Sequence, residues 1–304
     1  MKIAAYLNRP EYILRPTQLY HRFAYSQIKA AGIFRNFLLP WGMEITVSLD
    51  PSDVVGRSIG TQGIYDLSLT EVLWRLISPG EQVVDVGANV GYITSIMAHR
   101  AGRTGKVWCF EPNPDTYFEL SKNVNHWKST YDWEHICPQQ LALSNCTGVG
   151  LLGIPKTNQA GEAFLMQAES SSHSSKDVCR SYEVALIKLD DFLEEGQQID
   201  VIKIDVEGHE LDVLRGAINL IRKQQIRDIV FEEHYGYPSL VTQFLEDYGY
   251  TIFKIQKGFW KPKLSPPTKN TAHPWEPPNY LATLNADRAI EKLHNWGYYS
   301  LSGV

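Results

Sequence analysis

Val84-Asp85-Val86-Gly87-Ala88-Asn89-Val90-Gly91-Tyr92, residues 84–92, is the stretch on which the fold turns. An apolar run, 82–86, enters a glycine-rich turn, and a helical pattern over 91–102 leaves it and closes at Gly102. Strand, tight turn and helix in that order form the first half of a βαβ unit. Gly87 and Gly91 remove side chains where backbone must come close to a ligand and to the helix. Asn89 stands where many such loops have a middle glycine, and Asn is among the few residues with a side chain that tolerate a left-handed backbone. Glu111 closes the next strand, 106–111, where a carboxylate can accept both hydroxyls of a ribose. A nucleoside-containing ligand follows. The pattern is DxGxNxG rather than GxGxxG, and Asp85 sits where a pyrophosphate would want bare N–H groups. S-adenosylmethionine, with an ammonium, a sulfonium and no phosphate, suits that carboxylate better than NAD does. An NAD-type oxidoreductase and a glycine turn without a ligand stay open as alternatives.

Outward from the loop, strand-like and helix-like stretches alternate. Helical patterns cover 67–77, 114–126, 208–222 and 238–247; strands are expected around 138–143, 183–189, 199–205, 228–233, 250–256 and 280–284. That alternation predicts an α/β, doubly wound, mostly parallel sheet covered on both faces. Two stretches read as loops: polar 169–176, and Pro-rich 257–279 with Phe259, Trp260 and Trp275, read as a lid-like loop.

The chain has 304 residues with 43% hydrophobic and 21% charged residues, enough apolar material for a large core. Its net charge of −5 argues against a general nucleic-acid binder. No apolar run approaches the ~20 residues of a transmembrane helix, and the N-terminus lacks the apolar core of a signal peptide. Cys109, Cys137, Cys146 and Cys179 have no CxxC spacing, so reduced thiols in a cytoplasmic enzyme are expected. Residues 1–55 read as a basic, aromatic N-terminal arm preceding a main domain at 56–304. Six Lys/Arg (Lys2, Arg9, Arg15, Arg22, Lys29, Arg35) face one acid, Glu11, over 1–36. The spacing predicts a helix after Thr17 through Leu19, Phe23, Ala30, Phe34 and Phe37, weakened by Gly32. Such an arm packs on the main domain, joins a second copy in a homo-oligomer, or makes peripheral membrane contact.

Four blocks in order, PGEQVVDVGANVGYIT, GKVWCFEPNP, LALSN and VIKIDVEGHELDVLRGA, resemble the FkbM family of S-adenosylmethionine-dependent methyltransferases over about residues 60–256. The resemblance implies a class I methyltransferase fold, with a seven-stranded sheet whose last strand, 280–284, is antiparallel. By that resemblance Asp85, Gly87, Ala88, Asn89, Gly91 and Tyr92 hold the methionine part, and Glu111 holds the ribose with Asn113 nearby. Ala142, Leu143 and Ser144 line the adenine. Tyr65-Asp66 matches the family's aromatic–acid pair, although the family more commonly has Glu at the second position. The first ~50 residues and the Pro-rich loop lie outside the resemblance.

Methyl transfer from a sulfonium is an in-line displacement that needs a positioned nucleophile and, for a hydroxyl, a proton acceptor. The strand ends offer Lys203, Asp205, Glu207 and His209, then Glu232, Glu233 and His234. Lys203 and Asp205 share a strand face, as a structural ion pair or as a group orienting cofactor and substrate. His209, at a helix start, is biased neutral and suits a base, as does His234. Glu232 and Glu233 alternate faces, so one can look into the site. No dense carboxylate spacing marks a metal, and none is assigned. The sequence therefore reads as an O-methyltransferase for a hydroxyl or carboxylate on a small molecule, sugar or modified peptide. A non-catalytic cofactor-holding subunit is the other alternative.

Overall fold

The computed structural model describes residues 10–26, 33–50, 53–155, 163–166, 178–268 and 278–302. The polar stretch 169–176 and residues 269–277 of the Pro-rich loop, with Trp275, lie outside these. The chain opens with α1 (Pro10–Leu14) and α2 (Gln18–Ser26), then a hairpin of β1 (Phe34–Leu38) and β2 (Glu44–Ser48). The expected helix starts on time after Thr17, but Phe34 and Phe37 are in a strand. The reason is a period of two: Met43, Ile45 and Val47 are buried while Glu44, Thr46 and Ser48 are not, and the Leu39–Met43 turn closes the hairpin through a left-handed Gly42. Leu39, Trp41, Met43, Ile45 and Val47 of this hairpin belong to the same core as the helices that follow.

Next come α3 (Val54–Gln62), α4 (Leu67–Leu76), β3 (Gln82–Val86), α5 (Tyr92–Ala101), β4 (Lys106–Phe110), α6 (Pro114–Tyr131) and β5 (Ile136–Gln139). A second group, β6 (Ala142–Leu143), β7 (Gly148–Pro155), β8 (Phe164–Leu165) and β9 (Val178–Ile187), makes a separate four-stranded sheet. The chain then returns through α7 (Leu189–Phe192), β10 (Ile199–Ile204), α8 (Glu210–Gly216), α9 (Ile218–Arg222) and β11 (Ile226–Glu232). It ends with α10 (Leu240–Asp247), β12 (Thr251–Gln256), β13 (Lys263–Ser265), β14 (Asn279–Thr283) and α11 (Ala286–Lys292).

The main sheet has eight strands in the order β13-β12-β14-β11-β10-β3-β4-β5. β5, β4, β3, β10 and β11 are parallel, and β14 runs antiparallel between β11 and β12, as expected of the strand at 280–284. The eighth strand, β13, comes from inside the Pro-rich loop and adds antiparallel to β12. The loop is therefore part sheet edge. Its Trp260 ring lies 6.3 Å from Trp296 and the Tyr298 hydroxyl donates to the Gly258 carbonyl, so this end of the loop packs on the C-terminal segment. Alternate residues feed opposite faces: Val83 joins the core under α4, α5 and α6, while Val84 and Val86 join the core under α8 and α10. Strand order reverses between β3 and β10. In an open α/β sheet that switch point leaves a crevice at the carboxyl ends of the strands.

Candidate active site

A cavity of about 480 Å³ opens at that crevice. Its floor is the β3–α5 turn and the end of β10; its walls come from the start of α6, the hairpin, the second sheet and the end of β11. Gly87 decides how the floor closes. A Cβ there would lie 1.9 Å from the Asp205 carbonyl oxygen, and its φ is +76°, so only glycine lets the two strand ends meet. Gly91 serves a different purpose: a Cβ would strike Leu120 and Trp127 of α6, so its bareness is for helix packing rather than for a ligand. Asn89 does take the left-handed conformation, with φ +51°.

Glu111 locks this turn from the next strand. Its two carboxylate oxygens accept the backbone N–H groups of Asn89 and Asn113, each at 2.9 Å. Burial pushes its pKa up to about 7, with those two hydrogen bonds pulling the other way. Asn113 caps α6, accepting from the Asp115 N–H at 3.1 Å, and does not line the cavity.

Asp85 departs from the sequence expectation. Its side chain is fully buried beneath the turn and does not line the cavity; it accepts from the Thr94 hydroxyl at 2.6 Å. The reason is register. Lys203 on β10 stands directly beside Asp85 on β3, so both side chains leave the same face of the sheet. The Lys203 ammonium reaches Asp85 at 3.7 Å, Asp205 at 3.3 Å and the Gly87 carbonyl at 3.1 Å. Burial opposes its charge, but Asp205 and Asp85 outweigh that and hold its pKa above the usual lysine value. This ammonium ties both strand ends to the turn between them.

On the far side of Lys203, Asp205, Glu207 and Glu232 share the cavity with it. Glu232, the last residue of β11, has its pKa raised to about 8, first by burial and then by Asp205 and Glu207. Its neighbour Glu233 turns away and accepts from the Tyr235 N–H at 2.8 Å. His209 lines the cavity elsewhere: its Nε2 is 3.0 Å from the Ser144 hydroxyl, and its Nδ1 is 3.4 Å from Asp212. Burial lowers its pKa, so it is neutral near pH 7. Ser144 is buried behind it, off the cavity surface. His234 is half exposed, 3.6 Å from Glu232, and outside the cavity.

Tyr65, Gly87, Ala88, Asn89, Tyr92 and Glu111 line the cavity from one side, and Ala142, Leu143, Lys203, Asp205 and His209 from the other. Tyr65 stands edge-on to Tyr92 with ring centroids 5.9 Å apart, and burial raises both phenol pKa values. Asp66 instead faces Asn279 of β14, whose amide donates to it at 2.7 Å.

The model of the methyltransferase FkbM domain matches residues 85–252. The chain belongs to the FkbM methyltransferase family. Among its relatives is the hexuronic acid methyltransferase AglP of Haloferax volcanii, 30% identical over 215 residues, which are 64% of this chain and 81% of that one. Methyltransferase sdnD of Sordaria araneosa is 28% identical over 209 residues, 59% of this chain and 77% of that one. Among solved structures, methyltransferase FkbM from Methylobacillus flagellatus KT aligns at 13% identity with a TM-score of 0.43, covering 87% of this chain and 58% of that one.

For this methyltransferase, sequence reasoning missed the cavity walls. Phe34 and Ser48 come from the hairpin, and Leu152, Ala163 and Leu165 from the second sheet. The signal was present in both places, as alternating burial along β2 and as the glycine-rich, apolar GVGLLGIP of β7. It also missed Asn123. That buried amide donates to the carbonyls of Thr46 and Val90 at 3.0 and 2.8 Å and accepts from the Thr46 N–H at 2.9 Å, so one side chain on α6 pins the hairpin to the β3–α5 turn. Among the described residues, no group of three or more His, Cys, Asp or Glu side chains converges in a way that would hold a metal ion.

Proposed function

We propose that this methyltransferase uses S-adenosylmethionine and methylates a hydroxyl oxygen on a sugar or another small molecule, within glycan or natural-product biosynthesis. A relative that acts on a hexuronic acid supports a sugar acceptor. The donor set fits the cofactor: a buried carboxylate whose oxygens each keep acceptor capacity for a ribose, apolar Ala142 and Leu143 for a flat base, and a floor rich in carboxylates for a cation. A cavity of about 480 Å³ lies within the range of small-molecule sites.

The observation that carries the hydroxyl reading is Glu232, a partly buried carboxyl lining the cavity with its pKa raised to about 8. A hydroxyl must lose a proton as it is methylated, and a base poised near the working pH is the efficient acceptor for it. A carboxylate acceptor is already ionised and needs none. Lys203, the one lysine or arginine among the described residues lining the cavity, is already engaged by Asp205, Asp85 and the Gly87 carbonyl, so it has little left for an anionic acceptor. When bound, S-adenosylmethionine supplies an electrophilic methyl group on a sulfonium. Glu111 holds the ribose hydroxyls, Gly87, Ala88 and Asn89 carry the backbone against the methionine part, and Asp205 with Lys203 fixes the strand ends around the reacting atoms. Neutral His209, bonded to Ser144, lines the base.

The test joins calorimetry with kinetics. S-adenosylhomocysteine is expected to bind the wild type with micromolar affinity and Glu111→Ala at least ~30-fold more weakly, the loss of two charge-assisted hydrogen bonds. With labelled methyl donor and hydroxyl-bearing sugars, the rate is expected to rise through about pH 8. Glu232→Gln should lower kcat by roughly 10²–10⁴ and abolish that rise. No binding to folded wild-type protein overturns the cofactor; turnover on carboxylates alone, indifferent to Glu232→Gln, overturns the hydroxyl.

A further inference from the structure

Tyr65 and Tyr92 both line the cavity, and their hydroxyls differ. The Tyr92 hydroxyl is bound to the Thr70 hydroxyl at 3.1 Å. Among the described residues nothing hydrogen-bonds the Tyr65 hydroxyl. The rest of Tyr65 is fixed. Its ring stands edge-on to Tyr92, and its carbonyl accepts from the Thr70 hydroxyl at 2.9 Å. The next residue, Asp66, caps α4 by accepting from the Leu69 N–H at 3.1 Å and takes the Asn279 amide of β14 with the same carboxylate. Asp66 does this at φ +29°, a backbone conformation that few residues with a side chain adopt. A ring held on both sides presents its O–H at one place, with little freedom left to lose when a ligand takes it.

That place is the transfer end of the cavity. Burial raises the Tyr65 phenol pKa, and the carboxylates of Asp205, Asp66, Glu232 and Glu207 raise it further. Asp205, Glu207 and Glu232 line the cavity with it. The phenol therefore stays protonated, a donor set among acceptors. Two other polar side chains of the cavity are engaged: Lys203 by Asp205, Asp85 and the Gly87 carbonyl, and His209 by Ser144 and Asp212. A ligand that suits this end offers a donor to a carboxylate and, on the neighbouring atom, an acceptor to the phenol. Adjacent hydroxyls do both.

We propose that Tyr65 binds the acceptor rather than the cofactor, donating its O–H to the hydroxyl beside the one that is methylated, so that the substrate is a vicinal diol. This rests on the hydroxyl reading of the proposed function. Glu232 takes the proton of the reacting hydroxyl, while Tyr65 keeps its own and fixes which of two neighbouring oxygens faces the methyl group. A site built around a substrate hydroxyl turns away the analogue that lacks it, because its own polar groups are then left unpaired.

Methyl gluco-, galacto- and mannopyranoside, each beside its monodeoxy counterparts, test this with labelled methyl donor and by calorimetry on protein loaded with S-adenosylhomocysteine. For a glycoside that is turned over, wild type should favour it over the deoxy sugar lacking the neighbouring hydroxyl by ~10–100-fold in kcat/KM. Tyr65→Phe should treat both as wild type treats the deoxy sugar, with the loss seen in KM and in acceptor affinity. Its S-adenosylhomocysteine affinity should stay within ~2-fold of wild type and its unfolding midpoint should not move. A preference for the parent sugar that persists in Tyr65→Phe overturns the proposal. So does a loss of ~10-fold or more in S-adenosylhomocysteine affinity, which would return Tyr65 to the cofactor. Under either result, turnover of a sugar hydroxyl leaves the proposed function standing. Neither turnover nor binding of any of these glycosides, by protein that does bind S-adenosylhomocysteine, removes the sugar acceptor and this inference with it.

Discussion

The floor of the cavity, built from 82–111 and 199–207, and its wall at 34–54 get their hydrogen bonds from different sources. On the floor, β3 pairs through main chain with β4 and β10, the turn N–H of Asn89 goes to Glu111, and Lys203 binds the Gly87 carbonyl. The hairpin wall is an edge with a two-stranded ladder of its own, held to the body by side chains of α6: Asn123 to both backbone groups of Thr46, and the Trp127 indole to the Glu44 carbonyl at 2.6 Å. A floor fixed by main chain and short loops keeps its geometry whatever the surface residues are. A wall hydrogen-bonded through a few side chains of a distant helix, and otherwise seated by its buried apolar face, depends on those few residues for its position.

The largest test of that contrast removes the floor's ammonium. Lys203→Met leaves Asp85 buried without its countercharge and should cost about 3–5 kcal/mol in urea unfolding. Asn123→Ala addresses the wall. It strips three hydrogen bonds and should cost about 2–3 kcal/mol, with hydrogen exchange accelerating along 34–48 while the amides of β3 and β4 stay protected. If exchange rises equally in both regions, the two walls are one cooperative unit and the contrast fails.

A third test concerns pH. Burial keeps the Glu232 carboxyl near pKa 8, above its ordinary value, so the folded chain holds a proton that the unfolded chain releases. The stability tied to that proton is complete below about pH 4 and is lost as pH rises through about 8. Glu232→Gln, neutral at every pH, should nearly match the wild type at about pH 5 and be more stable by up to about 4 kcal/mol at about pH 9. Equal pH dependence in the two proteins would show that Glu232 does not carry that proton.

Much of the floor was legible because it is local. The tight turn, the left-handed Asn89 and the carboxylate of Glu111 are set by neighbouring residues in one βαβ unit, and the structure keeps each. Asp85 was misread for the complementary reason. Its spacing places it at the lip of the strand, but the Thr94 hydroxyl and the Lys203 ammonium, a neighbour only through the pairing of β3 with β10, hold the carboxylate under the turn instead of in the cavity. The same limit explains Gly91, bare for the sake of Trp127, and Asn123, whose partners are 33 and 77 residues away. The helix expected after Thr17 through Phe37 overreaches into the strand Phe34–Leu38 because apolar residues at helical spacing continue past Gly32, and the alternation that corrects this begins only after Pro40-Trp41-Gly42.

By itself the sequence determined the alternation of strands and helices, the doubly wound sheet, and the glycine turn with a carboxylate closing the next strand. Each is written in short-range periodicity and in backbone conformations that few residues tolerate. Only the tertiary structure decided that Asp85 and Lys203 form a buried clasp beneath that turn, that Glu232 rather than His234 faces the cavity, and that a hairpin and a second sheet complete its walls. Those outcomes depend on strand register and on contacts between residues far apart in the chain, where the energy of burying a charge or an amide is set by partners that no local pattern names.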